Sequence, residues 1–312
     1  MTGAGTSVSV IIVSWNVLPL LRRCLASILS QLEAEQIIVV DNASADGSAE
    51  AVVAEFPYVH LVQAGGNLGY PAAVNMGASK ANGEYLLILN PDTELQPGAL
   101  AVMRRMLDRD PSAAVVAPRI ICPDGSPQSS RRRFPSLRDL FLESTPLQRW
   151  LGLSHLLRRF YLAGVPASHA QGVDWAVGAC LLLRRRALVE VGGLDANYFM
   201  YSEEVDICRR LAQLGWQVVY EPAAAVLHHE GKSSEQVPTA RFIRFNRAKV
   251  VYASKYFGRR RAELLRLHLL FLFAGQMAEE VAKLFLRHKP ELRQSRISAY
   301  RTVLRNGLRG GT

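Results

Sequence analysis

Two short apolar runs of the sequence, Gln36–Val40 and Tyr85–Leu89, are each followed by a turn that carries a carboxylate, Asp41 in the first and Asp92 in the second. If both runs are parallel strands, the two carboxyl groups meet at one edge of one sheet, where open α/β sheets bind their ligands. This placement favours a site for a cation or a nucleotide sugar. Asp and Asn are also common in turns that have no further role.

A second group of acids, Glu203, Glu204 and Asp206, stands at the start of a predicted helix, directly after the aromatic segment 198–201. Compensation of the helix dipole and capping by Ser202 explain one or two of these acids but not the aromatic residues before them. A carboxylate in partly apolar surroundings can take the proton from a hydroxyl group. The cluster is therefore a candidate for general-base chemistry.

Two further segments carry polar groups at predicted loop positions. The stretch Gly65–Pro71 is rich in glycine and contains Asn67, so its backbone can approach a ligand closely, although glycine also simply builds turns. His228 and His229 end a short apolar run; a lone histidine is more often structural, but a pair at a strand end favours function. The first apolar run is followed neither by the dinucleotide-binding motif G-x-G-x-x-G nor by the P-loop motif G-x-x-x-x-G-K-[ST]. This argues against a dehydrogenase and against a P-loop ATPase.

These residues must be positioned by alternating strands and helices. Apolar periodicity predicts strands at Val8–Ser14, Gln36–Val40, Val59–Gln63, Tyr85–Leu89 and Ala113–Ala117, with helices at Val17–Gln31, Ser48–Phe56, Ala72–Ala81 and Gly98–Arg109. Such alternation predicts an α/β fold with a mainly parallel central sheet flanked by helices.

After Pro118 the pattern becomes irregular. It predicts a helical stretch at Leu137–Leu162, strands at Trp175–Leu183, Gln217–Tyr220 and Ala225–Leu227, helices at Glu203–Leu214 and Arg241–Tyr256, and a leucine-rich helical tail from Arg259.

Composition narrows the class of protein. With 49% apolar and 21% charged residues, a chain of 312 residues can bury a sizeable core. The net charge of +10 suits an anionic partner, but charge alone does not choose among nucleic acid, anionic lipid and a polyphosphate substrate. No RRM or KH signature is present, so we expect no nucleic-acid partner.

Cysteine spacing and hydropathy bear on the compartment. The four cysteines are far apart without a CxxC pair, which predicts buried, reduced thiols. No export signal precedes the first apolar run. The most apolar stretch, Ala262–Leu286, is interrupted by charged residues, so we do not expect it to span a bilayer.

Five motifs, in this order, resemble those of a known family. They are Val10–Asn16 (VIIVSWN), Val39–Ser44 (VVDNAS), Gly66–Gly69 (GNLG), Leu89–Thr93 (LNPDT), and Phe199–Asp206 followed by His228. On these motifs the chain resembles a family-2 inverting glycosyltransferase with the GT-A fold. It is most similar to the bacterial rhamnosyltransferase-like branch that builds cell-surface polysaccharides. The resemblance runs from Val8 to Phe257.

The resemblance implies roles for individual residues. Asp41 would bind the base of the nucleotide sugar, as one of the donor-binding residues Ser14, Asn16, Asp41, Asn67, Gly69, Asn75 and Asn90. Asn90-Pro91-Asp92 stands where the family carries its Asp-x-Asp metal motif. Asp92 and His228 would hold a divalent cation, Mg²⁺ or Mn²⁺.

The same resemblance places Glu204 at the position of the catalytic base. The acceptor side would be formed by Trp175, Gly178, Ala179, Glu203 and Asp206. Bidentate arginine contacts suit diphosphate groups, so Arg131, Arg132 and Arg133 are expected to hold a diphosphate or the phosphate of a lipid-linked acceptor.

Together these inferences predict a GT-A domain at 1–257, with a donor half at about 8–118 and an acceptor half at about 119–257. Residues 258–312 form a basic helical tail. The enzyme would be cytoplasmic and peripheral at the inner face of the cell membrane. It would transfer a sugar, rhamnose as first choice, from a nucleotide diphosphate to a lipid-linked or saccharide acceptor. The alternative is a nucleotide-sugar-binding protein without turnover.

Overall fold

The computed structural model describes residues 7–31, 34–145, 153–229, 238–285 and 290–309. The chain divides into two compact units. The first consists of residues 1–134, 161–199 and 203–233, and the second of residues 135–160, 200–202 and 234–312.

A ten-stranded sheet forms the centre of the first unit. Two further short strands pair with each other. In chain order the strands are β1 Val8–Ser14, β2 Ala34–Asp41, β3 Val59–Gln63, β4 Tyr85–Leu89, β5 Thr93–Leu95, β6 Ala113–Ile121, β7 Pro127–Gln128, β8 Arg131–Arg132, β9 Gln171–Val173, β10 Trp175–Ala176, β11 Cys180–Arg184 and β12 Gln217–His228. The main path runs β3-β2-β1-β4-β11-β6-β12-β5, while β7 pairs with β6, β9 with β12, and β8 with β10.

The long strands of this sheet run parallel: β1 pairs in parallel with β2 and β4, β2 with β3, and β6 with β12. The inserted strand β11 is antiparallel to both β4 and β6. Every residue of β1 and β4 is buried, as expected for strands covered on both faces. The predicted mainly parallel sheet is confirmed.

Helices of the first unit cover the sheet. They are α1 Leu18–Leu29, α2 Ser48–Glu55, α3 Tyr70–Lys80, α4 Ala99–Arg109, α6 Arg185–Glu190 and α7 Glu203–Gln213. Leu21, Leu25 and Ile28 of α1 pack into one core cluster with Leu87 and Leu89 of β4. The amphipathic spacing therefore fixes which face of α1 lies on the sheet.

The predicted strands differ from the observed ones in two regions of the chain. The run Trp175–Leu183 is not one strand, because Trp175–Ala176 pairs with β8 while Cys180–Arg184 enters the central sheet. Conversely, the two short strands predicted between 217 and 227 form the single strand β12, which contains an irregularity between Glu221 and Ala225.

The second unit is helical in its described parts. It contains α5 Leu137–Ser144, a 3₁₀ helix at Leu153–Leu157, α8 Pro238–Phe257, α9 Arg259–Phe285 and α10 Pro290–Asn306. The predicted helix at Leu137–Leu162 is therefore shorter: it begins with a capping box of Ser136 and Asp139 and ends before Thr145, whose backbone is extended. Pro146 follows in the sequence, and the residue before a proline avoids helical geometry.

The basic tail is formed by two helices, which lie antiparallel. Arg266 donates to the carbonyl oxygen of Gly307 at 2.7 Å, and near the other end Arg293 pairs with Glu280 at 2.7 Å. The second unit also includes α8, which precedes the predicted boundary at residue 258. The division at that residue stays a prediction. Among the described residues, no helix has both the length and the apolar character needed to cross a membrane.

Candidate active site

The ends of β1 and β2 bring two buried polar side chains into neighbouring positions. Ser14 and Asp41 are register partners in the parallel ladder, with exposed fractions of 0% and 6%. Asp41 Oδ2 accepts from the backbone nitrogen of Ser44 at 3.2 Å, whereas Ser14 Oγ and Asp41 Oδ1 are buried without a hydrogen-bond partner. Leaving buried polar atoms unsatisfied costs free energy. This strand edge is therefore prepared to receive a polar ligand.

The loop after β1 is tied to the loop after β2. Asn16 adopts a positive φ of 53° and donates its backbone nitrogen to Ser44 Oγ at 3.1 Å. Its side-chain oxygen accepts from the backbone nitrogen of Ala45 at 2.6 Å. Asn16 therefore fixes the two loops that flank the Ser14 and Asp41 pair.

The glycine-rich loop is held by an amide outside it. Asn42 accepts from the backbone nitrogen of Leu68 at 2.9 Å and donates to Asn67 Oδ1 at 3.1 Å. Asn67 Oδ1 also accepts from the nitrogen of Gly69, at 3.1 Å. Gly69 has a φ of +81°, and a Cβ there would lie 2.5 Å from the carbonyl oxygen of Phe199, so glycine is required. Asn42 belongs to one of the five motifs, but nothing in the local sequence indicates this supporting role.

Asn90 is positioned by an aromatic hydroxyl. Tyr70 donates its hydroxyl to Asn90 Oδ1 at 2.9 Å. Burial, followed by the nearby carboxylates of Glu203, Glu204 and Asp92, raises the pKa of Tyr70 well above its ordinary value. Tyr70 therefore stays a neutral donor, and acids from two separate motifs act on it: Asp92 from one, and Glu203 and Glu204 from the other.

Asn75 makes contacts other than the predicted ones. Its side-chain nitrogen donates to the carbonyl oxygen of Leu194 at 2.8 Å, and its oxygen accepts from the nitrogen of Leu194 at 2.9 Å. The loop approaches so closely that a Cβ on Gly193 would lie 2.7 Å from Asn75 Oδ1. Asn75 thus braces that loop, and its contact with a donor stays a prediction.

The late histidine lies beside the second carboxylate. His228 Nε2 is 3.4 Å from Asp92 Oδ1, and both residues are buried, at 5% exposure each. On the other side of the ring, His228 Nδ1 lies 2.9 Å from Gln128 Oε1. Because that oxygen is an acceptor, it pairs with a protonated Nδ1. When Nε2 carries no proton, its lone pair faces Asp92.

Two electron-pair donors that face each other at this distance suit a shared cation. An oxygen of Asp92 and a nitrogen of His228 form a ligand set acceptable to Mg²⁺ or Mn²⁺. Across the described ranges, no group of three or more His, Cys, Asp or Glu side chains is arranged to hold a metal ion. Any cation here therefore needs further ligands from water or from a bound phosphate. Sequence reasoning did not find Gln128, since nothing in its local sequence distinguishes it.

The neighbouring histidine forms a different pair. His229 Nε2 lies 2.7 Å from Glu94 Oε1, and Arg23 reaches the same oxygen at 2.8 Å. The backbone nitrogen of His229 donates to the carbonyl oxygen of Asp92 at 2.8 Å. His229 is thus satisfied within the protein.

The first turn of α7 presents two adjacent glutamates in different surroundings. Glu203 is 7% exposed, and its Oε2 is buried without a hydrogen-bond partner. Burial, then the charge of Glu204, raises the pKa of Glu203 well above its ordinary value. A small cavity of about 20 Å³ is lined by Tyr70, Gly178 and both glutamates. Glu203 therefore favours its protonated form, which leaves Glu204 as the better proton acceptor.

Asp206 is occupied by structural contacts. It is fully buried, pairs with Arg210 at 2.8 Å and accepts from the hydroxyl of Tyr198 at 3.4 Å. Arg210 also donates to the carbonyl oxygen of Val191 at 2.7 Å. These contacts hold α7 in place.

Gly178, in the segment predicted to form the acceptor side, lies next to Glu204, the candidate catalytic base. A Cβ on Gly178 would lie 3.3 Å from the Cβ of Glu204, so a side chain there would press on Glu204. Ala179 accepts from the backbone nitrogen of Asn90 at 2.9 Å. Trp175 donates its indole nitrogen to the carbonyl oxygen of Arg133 at 2.9 Å.

The three consecutive arginines have protein partners. Arg131 donates to Gln171 Oε1 at 2.9 Å, Arg132 donates to the carbonyl oxygen of Arg131 at 2.9 Å, and Arg133 pairs with Asp174 at 2.9 Å. These contacts stabilise the strand β8 and its surroundings. Phosphate binding by the arginines stays a prediction.

Comparisons with known proteins identify the family of the chain. The model of Glycosyl transferase family 2 matches residues 9–191, and that of Glycosyl transferase family 21 matches residues 151–290. The chain is 33% identical over 273 residues to the N-acetylglucosaminyl-diphospho-decaprenol L-rhamnosyltransferase of Mycobacterium tuberculosis, an alignment that covers 82% of this chain and 87% of the relative.

Solved structures confirm the fold. The mannosyltransferase PcManGT from Pyrobaculum calidifontis, in complex with GDP-Man and Mn²⁺, superposes with a TM-score of 0.56 at 18% identity, over 97% of this chain and 87% of that one. GalNAc-T7 with UDP, GalNAc and Mn²⁺ gives a TM-score of 0.55 at 18% identity, over 72% of this chain and 43% of that one. The GT-A-type fold expected from the sequence is therefore confirmed.

Proposed function

Because the chain belongs to glycosyl transferase family 2, and is thus a glycosyltransferase, we propose that it transfers rhamnose, with inversion, from a nucleotide diphosphate to a lipid-linked acceptor. The observation that carries this proposal is the facing pair of Asp92 and His228, at the sheet region where Ser14 and Asp41 also keep unsatisfied polar atoms. The choice of sugar and acceptor is supported by the name of the mycobacterial relative.

A divalent cation fits the pair of Asp92 and His228, which supply one carboxylate and one imidazole. When bound, such an ion neutralises charge on the departing diphosphate. Two protein ligands are few, and Mg²⁺ in particular usually completes its shell with substrate phosphates and water. Both solved structures of similar fold contain Mn²⁺, which supports Mn²⁺ as the first ion to test.

Gln128 acts here as a positioning residue. Its side-chain oxygen accepts a hydrogen bond from Nδ1 of His228, which fixes both the tautomer and the direction of the ring. Partners of this kind commonly change metal affinity by about ten- to a hundredfold when they are removed.

The general base is Glu204. A carboxylate there takes the proton from the acceptor hydroxyl while the hydroxyl oxygen attacks the anomeric carbon opposite the diphosphate. The apolar neighbours of Glu203 and the charge of Glu204 keep Glu203 protonated, so the pair carries one negative charge. Tyr70 separates this pair from Asn90 and keeps the amide oriented.

The base of the nucleotide binds at Asp41 and Ser14, whose free polar atoms can accept and donate one hydrogen bond each to it. The loops held by Asn16 and Asn42 frame this position. We propose that the protein acts in the cytoplasm, at the inner face of the membrane, because its proposed acceptor is linked to a lipid.

A ligand panel tests the proposal. Thermal unfolding is measured with nucleotide sugars, each with and without Mn²⁺, since a ligand that binds only the folded state raises its stability. We expect deoxythymidine-diphospho-rhamnose with Mn²⁺ to raise the melting temperature most, and Asp92→Asn to lose the Mn²⁺-dependent part of that rise. Transfer is then followed to a polyprenyl diphosphate that carries N-acetylglucosamine.

Two results would contradict the proposal. Failure of every nucleotide sugar to stabilise the protein would remove the donor site. Stabilisation without release of nucleoside diphosphate, in the presence of acceptor, would instead indicate a binding protein without turnover.

A further inference from the structure

One helix of the second unit exposes an uninterrupted apolar face. Four of its large side chains are strongly exposed: Leu264 by 61%, Leu267 by 50%, Phe271 by 76% and Phe285 by 83%. Smaller apolar residues continue the same face between them. We call this face the apolar lane, and it consists of Leu264, Leu267, Phe271, Ala274, Ala278, Ala282 and Phe285.

The lane is a geometric consequence of the sequence. At 100° per residue its seven members fall within an arc of about 80° around α9, and they extend for about 32 Å along it. No Asp, Glu, Lys or Arg of this stretch falls within that arc. The opposite face carries Ala262, Leu265, Leu269 and Phe273, which are buried within the second unit. The lane is thus a second apolar face, in addition to the one that folding uses.

Monomeric proteins rarely expose an apolar surface of this length unless it has a partner. The exposed charges of the two tail helices indicate the chemistry of that partner. In the described part of 259–309, seven arginines are exposed against three exposed glutamates; the arginines are 259, 260, 261, 296, 301, 305 and 309, and the glutamates 263, 279 and 291. Arg260 lies on the lane itself, one turn before Leu264.

We infer that the apolar lane of α9 is a membrane-docking surface that inserts into the headgroup region of a bilayer rich in anionic lipids. An amphipathic helix binds in this way by burying leucine and phenylalanine side chains at the acyl boundary while arginines contact lipid phosphates. Each arginine near such a surface contributes about 1 kcal/mol. A second copy of the chain would instead bring a second set of exposed arginines close to the first, which opposes association. The inference deepens the proposed peripheral location and needs neither the cation nor the donor.

Flotation of the full-length protein with vesicles tests this inference. We expect binding to phosphatidylcholine vesicles that contain phosphatidylglycerol, weaker binding to phosphatidylcholine alone, and a loss of binding as salt screens the arginines. Phe271→Asp should weaken binding at least about tenfold, because one buried phenylalanine contributes about 1.5–3 kcal/mol. The matched control is Val53→Asp, an equally drastic change at a residue of α2 that is 66% exposed, and it should bind as the wild type does.

A fluorescent variant gives an independent readout. Phe271→Trp should bind vesicles, and its added emission should shift to shorter wavelength on binding, since the indole enters an apolar layer. Donor-induced thermal stabilisation should be unchanged in both Phe271 variants, so failure of the membrane inference can be distinguished from failure of the proposed function. Equal vesicle binding by wild type and Phe271→Asp would overturn the inference. So would a dimer in light scattering that Phe271→Asp dissociates while vesicle binding persists, since the lane would then bind a second copy.

Discussion

His228 and His229 follow each other in the sequence, and each lies beside a carboxylate of the segment 92–94. The two pairs differ in the distance between their atoms and in their further partners. His229 and Glu94 meet at 2.7 Å, and Arg23 shares the carboxylate. His228 and Asp92 stand 3.4 Å apart, and Gln128 occupies the far side of the ring.

The difference shows that a histidine and a carboxylate at close range do not by themselves make a metal site. In the His229 pair, the ring nitrogen and the Arg23 guanidinium both lie within hydrogen-bond distance of the carboxylate, so that carboxylate already has two partners. In the His228 pair, the glutamine takes the far side of the ring, and Nε2 is free to turn a lone pair towards the same cation as the carboxylate. Only the second arrangement has a place for a cation.

Asp92→Asn breaks the second pair with the largest expected effect. We expect transfer to fall by about a thousandfold, because the amide keeps the shape but removes the carboxylate that faces His228, and a metal ion contributes several kcal/mol to such reactions. Mn²⁺-dependent donor binding, measured by calorimetry, should disappear as well. Wild-type turnover by this variant, or by the wild type in excess chelator, would show that the metal assignment is wrong.

Glu204→Gln extends the comparison to the pair of acids on α7. We expect transfer to fall by about a hundredfold or more, the usual effect of losing a positioned general base, while donor binding is kept. The matched variant is Glu203→Gln, which removes a carboxyl group that is already protonated and should change turnover only a few-fold. If Glu203→Gln abolishes transfer and Glu204→Gln does not, the base has been assigned to the wrong residue.

The sequence predicted the strand ends well, because the order of apolar runs and polar turns is local information. The strand ends predict Asp41 and Asp92 at one sheet edge, and the family resemblance adds His228 beside Asp92, where the structure has it at 3.4 Å. The surroundings of each side chain depend on distant contacts instead. Gln128 is one hundred residues away from His228 in the chain. The turn at Asp124-Gly125 is visible in the sequence, but it does not reveal that the hairpin which follows brings Gln128 to His228.

The same limit explains the errors in the fold. Trp175–Leu183 looks like one strand because its residues are apolar throughout, yet residues 177–179 leave the first ladder before β11 enters the second. The donor contact that the resemblance implies for Asn75 stays a prediction, but the sequence does not reveal that both of its amide atoms pair with the backbone of Leu194. Pairing partners and backbone approaches of this kind are decided by tertiary structure.

Gln128→Leu tests whether the orientation of His228 matters. We expect Mn²⁺ affinity, measured by electron paramagnetic resonance in the presence of nucleoside diphosphate, to weaken about ten- to a hundredfold. Gln128→Glu keeps an oxygen acceptor for Nδ1 and should restore most of that affinity. Gln213→Leu, at an exposed position at the end of α7, is the control. Unchanged Mn²⁺ affinity in Gln128→Leu would mean that the glutamine is only structural.

The protonation of Glu203 predicts a dependence of stability on pH. Its pKa is raised in the folded state, so the unfolded state releases this proton more readily. The contribution of Glu203 to stability is therefore present at acid pH and is lost as the pH rises through the raised value. We expect the free energy of unfolding, measured with urea, to decline less in Glu203→Gln than in the wild type as the pH rises above the ordinary pKa of glutamate. Parallel pH profiles for the two proteins would contradict the protonated assignment.

Glu94→Gln should give the smallest effect, because the His229 pair lies outside the proposed chemistry. The substitution removes the charge that Arg23 and His229 share, but Arg23 is about half exposed and solvent screens such a pair. We expect a loss of about 1 kcal/mol or less in the free energy of unfolding. The value of kcat/KM and the affinity for Mn²⁺ should both stay within about twofold of the wild type. The comparison with Asp92→Asn is direct, since both variants replace a carboxylate by its amide beside a histidine, two residues apart in the chain. If Glu94→Gln reduces Mn²⁺ affinity as strongly as Asp92→Asn, both pairs contribute to one site and the distinction between them fails.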